Sequence, residues 1–220
     1  MAIAIQPLRD DDPSLLTAVD GFVAAARDAV LRLVAPRGRV EAALLDRHQF
    51  AAHGFAWMAT SAAALRALSL WRARLADAGR LGDRDALIAE LGSAELILQL
   101  GTGIAMSQGE TARPGDLGLE SAAAALLATP AIADLLRRAT PAARERLAAM
   151  LATDPLAASF GDAEIDHMAE SVRRFARDRV APHAQAWHNA DALIPMDIID
   201  GVAALGVFGL TLPSEHGGLG

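Results

Sequence analysis

Residues 55–103 read FAWMATSAAALRALSLWRARLADAGRLGDRDALIAELGSAELILQLGTG. Phe55, Met58, Ala62, Leu65, Leu68, Trp71 and Leu75 recur at threes and fours, the spacing that lines one face of an α-helix. Gly79 and Gly82 interrupt the pattern, Asp83 is placed to cap a second helix, and Leu87, Leu91, Ala94 and Leu98 resume the same period up to Gly101-Thr-Gly103. Two long helices joined by a short glycine-bearing turn fold back on each other, so this stretch predicts an αα-hairpin. Its first helix is expected to run from about Val40 to Ala78, with Gly54 placed to bend it.

Toward the N-terminus, Asp12-Pro13 pairs a cap with proline at the first helical position, and Leu15, Leu16, Val19, Phe22, Val23 and Ala26 come after it at helical spacing. That helix should end near Pro36-Arg-Gly38. Downstream of the hairpin, 110–116 reads as a polar turn, and shorter helices are expected near 119–128, 131–138 and 141–152. Pro130 and Pro141 mark their joints, with Thr140 capping the last. Residues 153–161 carry the proline and glycine of a linker. Beyond them Asp162 caps an amphipathic helix whose core face is Ile165, Met168, Val172, Phe175 and Ala176, continuing to Val180, where Pro182 must kink or end it. A further helix from Met196 to about Leu205 stops at Gly206, and 207–212 should be extended or turn-like. The organisation expected is a helical domain at 1–152, a linker at 153–161 and a second helical domain at 162–220, all-α throughout.

Composition agrees with that class. The chain has 220 residues, 53% of them hydrophobic, with no tyrosine and no cysteine. Its apolar residues are mostly Ala and Leu, which favour helix over strand. Zero cysteines exclude a disulfide framework, a thiolate-held metal and a thiol nucleophile. A net charge of −7 leaves no uncompensated basic surface for nucleic acid and opposes a helix-turn-helix regulator. The N-terminus turns acidic at once, unlike a signal peptide, and no apolar run reaches the ~18–20 residues that span a bilayer. A cytoplasmic chain, without nucleic-acid or membrane partners, is expected.

Few side chains suggest chemistry. Gly101-Thr-Gly103 lacks the third glycine of a dinucleotide loop and comes after an apolar helix, so a helix end or a close helix crossing explains it. His183 and His188 are five apart, which does not place two ligands on one helical face. Asp10, Asp11 and Asp12 suit the positive end of a helix dipole. Arg173, Arg174, Arg177 and Arg179 are dense enough to hold an anion, yet Asp178 interrupts them and a solvated face accounts for them. Trp57, Trp71 and Trp187 could line a pocket, although Trp71 falls on the stripe with Leu68 and Leu75 and is assigned to the core. No catalytic, cofactor-binding or metal residue is assigned.

One segment does carry a family pattern. From His167 to Gly220 the chain reads HMAESVRRFARDRVAPHAQAWHNADALIPMDIIDGVAALGVFGLTLPSEHGGLG. Phe175, Ala176, Val180, Pro182, Ala184, Trp187, Pro195, Leu205-Gly206, Gly209, Pro213, Glu215, Gly217-Gly218 and Gly220 stand in the order and spacing of the opening of an acyl-CoA dehydrogenase, which this segment resembles. His216 stands where that family commonly has an aromatic residue. The preceding region, with LILQLGTGIAMSQGETARPGDLG from Leu96, is similar to the helical extension of the methylsuccinyl-CoA dehydrogenase branch. It is also similar to the family's carboxy-terminal bundle, Gln99, Gly101 and Gly103 falling where a glutamine and glycines end one helix there.

The resemblance implies FAD as cofactor, an acyl-CoA substrate, an electron-transfer acceptor and a homo-oligomer. The implied reaction is α,β-desaturation, in which a glutamate takes the α-proton and hydride passes from the β-carbon to flavin N5. In the family, the flavin-binding domain and that glutamate lie downstream of the opening segment. The chain is therefore expected to be the front of such an enzyme, inactive alone, with 213–220 resembling a loop that leads onward and with helices at 162–188 and 196–205 less well buried than those before Pro155. The alternative is a non-catalytic helical module for interaction or dimerisation, suggested by a mean hydropathy of +0.26 with no site chemistry to explain it.

Overall fold

A computed structural model describes residues 13–154, 159 and 161–218. The fold is all-α, and the chain divides into two compact units, Met1–Pro155 and Leu156–Gly220.

In the first unit α1 (Pro13–Val34) lies against α3 (Gln49–Asp77), and α3 turns back into α4 (Asp83–Thr102) as the hairpin spacing requires. Three shorter helices come next: α5 (Glu120–Ala128), α6 (Pro130–Arg138) and α7 (Pro141–Thr153). Prolines at the starts of α6 and α7 occupy positions whose amides have no helical acceptor anyway, and the Thr140 hydroxyl accepts from Ala143 N at 3.2 Å. One core joins α1 (Val19, Phe22, Ala26), α3 (Met58, Ala62, Leu65), α4 (Ala94, Ile97, Leu100), α5 (Ala123, Leu126) and α6 (Ile132, Leu135). Each large aliphatic chain so buried is worth roughly 1.5–3 kcal/mol. This apolar core therefore outweighs the surface ion pairs around it, which give about 0–1 kcal/mol each.

Three expectations change in this unit. The helix expected over 40–78 is broken: α2 (Ala42–Arg47) ends at His48, whose φ of −110° and ψ of 25° leave the helical region, and α3 begins at Gln49. No glycine or proline marks that break in the sequence. The buried stripe of α3 runs through Met58, Ser61, Ala62, Leu65 and Arg72, while Leu68, Trp71 and Leu75 are only half-buried. Adjacent residues differ by 100° around a helix, so Trp71 falls on the flank of a stripe that is centred near Arg72. The segment after α4 is also more than a turn. Ile104–Ala105 (β1) pairs antiparallel with Thr111–Ala112 (β2), Ile104 facing Ala112 and Ala105 facing Thr111. Two-residue strands are too short to show alternation, which is why composition alone does not announce them.

The second unit is described by itself. Asp162 caps α8 (Ala163–Phe175), its Oδ1 accepting from Glu164 N at 2.8 Å and Ile165 N at 3.1 Å. Pro182 does not end the helix. A π-helical turn over Ala176–Val180 precedes α9 (Ala181–Asn189), and Ala181 N–H donates to the Ala176 carbonyl five residues back. The wider turn takes up one extra residue where the proline removes a donor. After α10 (Met196–Ala204), Gly206 adopts a left-handed φ of 77°, and 207–212 forms a 3-10 turn and bends instead of an extended run. Of the core face expected on α8, Ile165 and Val172 are exposed at 48% and 41%, whereas Met168 and Phe175 are half-buried. Ile198 is the single buried residue among those described in this unit. The helices before Pro155 are thus better buried, as expected, with α2 and α7 the exceptions.

Candidate functional site

The Gly101-Thr-Gly103 segment closes α4 without forming a phosphate loop. Gly101 remains inside the helix, where an added Cβ would stand 2.7 Å from Leu127 Cγ of α5, so the glycine permits a close helix crossing. Gly103 then leaves the helix with φ 147° and leads into β1. The Thr102 hydroxyl donates to the Leu98 carbonyl, so it is occupied within its own helix. Gln99 is exposed one turn earlier. At the hairpin tip, Met106 N donates to the Glu110 carbonyl at 2.8 Å, and Arg113 N donates to Asp116 Oδ2 at 2.7 Å to start the turn Pro114–Leu117. These bonds serve the backbone and leave no ring of donors for an anion.

Three of the four clustered arginines are paired locally. Arg173 lies 3.2 Å from Glu170 Oε2, Arg177 lies between Glu170 and Asp178, and Arg179 donates to Asp197 Oδ2 at 3.0 Å. Arg179 also stands over the Phe175 ring, 6.0 Å from its centroid. A solvated face explains these residues. His183 is tilted against Trp187 with centroids 5.6 Å apart, and His188 lies in the last turn of α9. Among the described residues no group of three His, Asp or Glu side chains is placed to hold a metal ion. Trp57 donates from Nε1 to His53 Nε2 at 3.0 Å on the exposed face of α3. Asp10, Asp11 and Asp12 lie outside the described residues. Among the described residues, none of these clusters comes together as a reacting site.

Sequence reasoning missed a mostly buried ion pair. Glu90 of α4, 5% exposed, lies 3.3 Å from Arg138 Nε, and Arg138 also pairs with Asp134 on its own helix. Glu90 stands beside Leu87 and Leu91 in a stretch read as an apolar face, and only the folded arrangement supplies its partner. The Arg37 guanidinium is held above its ordinary pKa by hydrogen bonding to Glu41, against a smaller opposing effect of burial. Arginine is already charged at any physiological pH, so this pair fastens the turn after α1 and supplies no proton chemistry.

A cavity of about 260 Å³ opens between α1 and α5, lined by Ala18, Gly21, Phe22, Ala122, Ala125, Leu126 and Thr129. The Thr129 hydroxyl donates to the Ala125 carbonyl, which leaves the lining apolar. It is smaller than the roughly 300–1,000 Å³ usual for small-molecule sites and offers no donors to a diphosphate, so FAD does not fit it. Among the described residues no helix is long and apolar enough to cross a membrane.

Comparison with known proteins divides along the same line as the fold. The profile of a family described as acyl-CoA dehydrogenase, N-terminal domain, matches residues 162–220. A (2S)-methylsuccinyl-CoA dehydrogenase from Cereibacter sphaeroides is 42% identical over 226 residues, covering 98% of this chain and 40% of that protein. The chain therefore spans about two fifths of the length of the relative it matches.

Proposed function

We propose, from the match of residues 162–220 to the acyl-CoA dehydrogenase N-terminal domain, that this chain is the front part of an FAD-dependent enzyme that desaturates a branched dicarboxylic acyl-CoA thioester of the methylsuccinyl-CoA kind. The observation that carries this reading is the extent of the match to the Cereibacter protein, which runs through both units instead of stopping at the family segment. A shared family domain alone would leave the substrate open; a shared helical extension favours the branch in which that protein stands. The division proposed is a helical extension domain at 1–152, a linker at 153–161 and the opening helical domain of the dehydrogenase at 162–220.

In this reading the residues of this chain frame the chemistry and do not perform it. FAD, when bound by the complete enzyme, supplies hydride acceptance, and no catalytic, flavin-binding or metal residue is assigned before Gly220. Consistent with that division, two carboxylates of the second unit are engaged with arginines: Glu170 with Arg173, Asp197 with Arg179. The cavity between α1 and α5 is apolar and closed to a diphosphate. An electron-transfer acceptor and assembly as a homo-oligomer belong to the same proposal.

A hybrid tests it. Residues 1–220 replace the matching two fifths of the Cereibacter enzyme, and methylsuccinyl-CoA oxidation is monitored with an artificial electron acceptor. Retained flavin and oxidation are expected from the hybrid, and a colourless, inactive protein from residues 1–220 alone. A folded hybrid that binds flavin yet oxidises no acyl-CoA overturns the functional reading, and stoichiometric flavin on residues 1–220 alone overturns the division of labour.

A further inference from the structure

The helix α7 differs from its neighbours in how it is held. Its predecessor α6, at nine residues, buries Ile132 and Leu135 completely. With thirteen residues α7 buries none, and Ala143, Leu147, Met150 and Leu151 are only half-covered. Its principal neighbour is α4, and three ion pairs link the two. Arg144 pairs with Glu95, Arg146 lies 3.2 Å from Asp83, and Asp154, just past the helix end, lies 2.5 Å from Arg84. Arg84 also donates to the Asp154 carbonyl at 3.0 Å, so side chain and backbone are held at one point. The start of α4 meets the end of α7 while Glu95, three turns on, meets its beginning, so the two helices run antiparallel. Asp83 and Asp154 are 78% and 77% exposed, which puts these pairs within reach of dissolved salt.

A helix of this length is marginal in water by itself, so its order depends on what it rests against. We propose that α7 is a releasable strap, pinned to α4 by these three ion pairs over a half-covered apolar face, which undocks and unwinds as one unit while α1 and α3–α6 remain folded. On α4, Ile88 and Leu91 lie on the stripe between Arg84 and Glu95, so release uncovers apolar surface flanked by charge. The same step lengthens the segment itself, because thirteen helical residues span about 20 Å and extended ones more than about 40 Å. The device is thus a segment whose length responds to ionic conditions. It stands independently of the enzymatic reading.

Amide hydrogen exchange on the whole 220-residue chain tests this without any substitution. Between about 50 mM and 1 M sodium chloride, protection at 145–153 should fall about tenfold, while amides of α6 and the centre of α4 change less than about twofold. The Glu90–Arg138 pair provides the contrast, because Glu90 is nearly covered and should not respond. Glu95→Arg should weaken protection of α7 at low salt, and Glu95→Arg with Arg144→Glu should restore it. Loss of protection in α6 and α7 together, salt-independent protection of α7, or no recovery in the exchanged pair each overturns the proposal.

Discussion

Both units are built from amphipathic helices, and they reach different depths of burial. In the first, Ile97, Leu100, Ile132 and Leu135 are wholly covered; in the second, Ile198 is the single buried residue described, and Leu193, Ile194 and Met196 are 92%, 58% and 67% exposed. The difference teaches that amphipathic spacing measures what a helix can bury. It does not measure what is there to bury it. A stripe such as Ile165, Met168 and Val172 has the period of a core face, yet Ile165 and Val172 stay exposed and Met168 is half-buried.

The sharpest way to break this comparison is to truncate one large side chain in each unit. Leu135→Ala should cost about 2–5 kcal/mol in urea unfolding, because a fully covered site cannot collapse around the lost atoms. Leu193→Ala should change stability by less than about 0.5 kcal/mol. Equal losses would mean that the second unit is covered in solution by a surface other than its own. A smaller effect is expected from Gly201→Ala. Its Cβ would fall 2.5 Å from the Phe175 ring where α10 crosses α8, and the overpacking should cost about 1–3 kcal/mol. Phe175→Leu in the same chain should recover part of it, as read from exchange protection in α8 and α10.

Capping separates the units less. Asp162→Ala should cost about 1 kcal/mol and fray the first turn of α8, while Thr140→Ala should cost a similar amount at α7. Circular dichroism melts of the two variants compare them directly. Arg179→Ala, which removes an exposed ion pair and a ring contact, should shift stability by less than about 1 kcal/mol. A larger loss would assign the arginine face a role beyond solvation.

The features legible in the sequence are those whose signals are local. The hairpin of α3 and α4, the caps at Thr140 and Asp162 and the stop at Gly206 are all written in neighbouring residues, and all appear. The break at His48 is not, since its backbone torsions answer to surrounding packing and no breaker residue stands there. Nor is the pairing of Ile104 with Ala112, where two residues per strand carry no period. Glu90 was hidden for a related reason: an acid within an apolar run is explained only by Arg138, forty-eight positions away in sequence and 3.3 Å away in space. Of the candidate site, the arginines were legible as a solvated face, and the family segment was legible because its glycines and prolines are fixed in order. Among the described residues, no cluster of chemical side chains offers a local signal from which a reaction could be read.

The π turn at Ala176–Val180 has a consequence for how this chain tolerates insertion and deletion. Removing a residue from an ordinary α-helix rotates everything after it by about 100° and misplaces every later side chain. A π turn is an α-helix carrying one residue too many, so deleting Asp178 together with Pro182→Ala should yield a regular helix with α9 still facing as it does now. A length change that would ruin α3 or α4 is therefore one that this segment can absorb. An alignment gap at this point is then a change of helix type, with the path of the chain preserved.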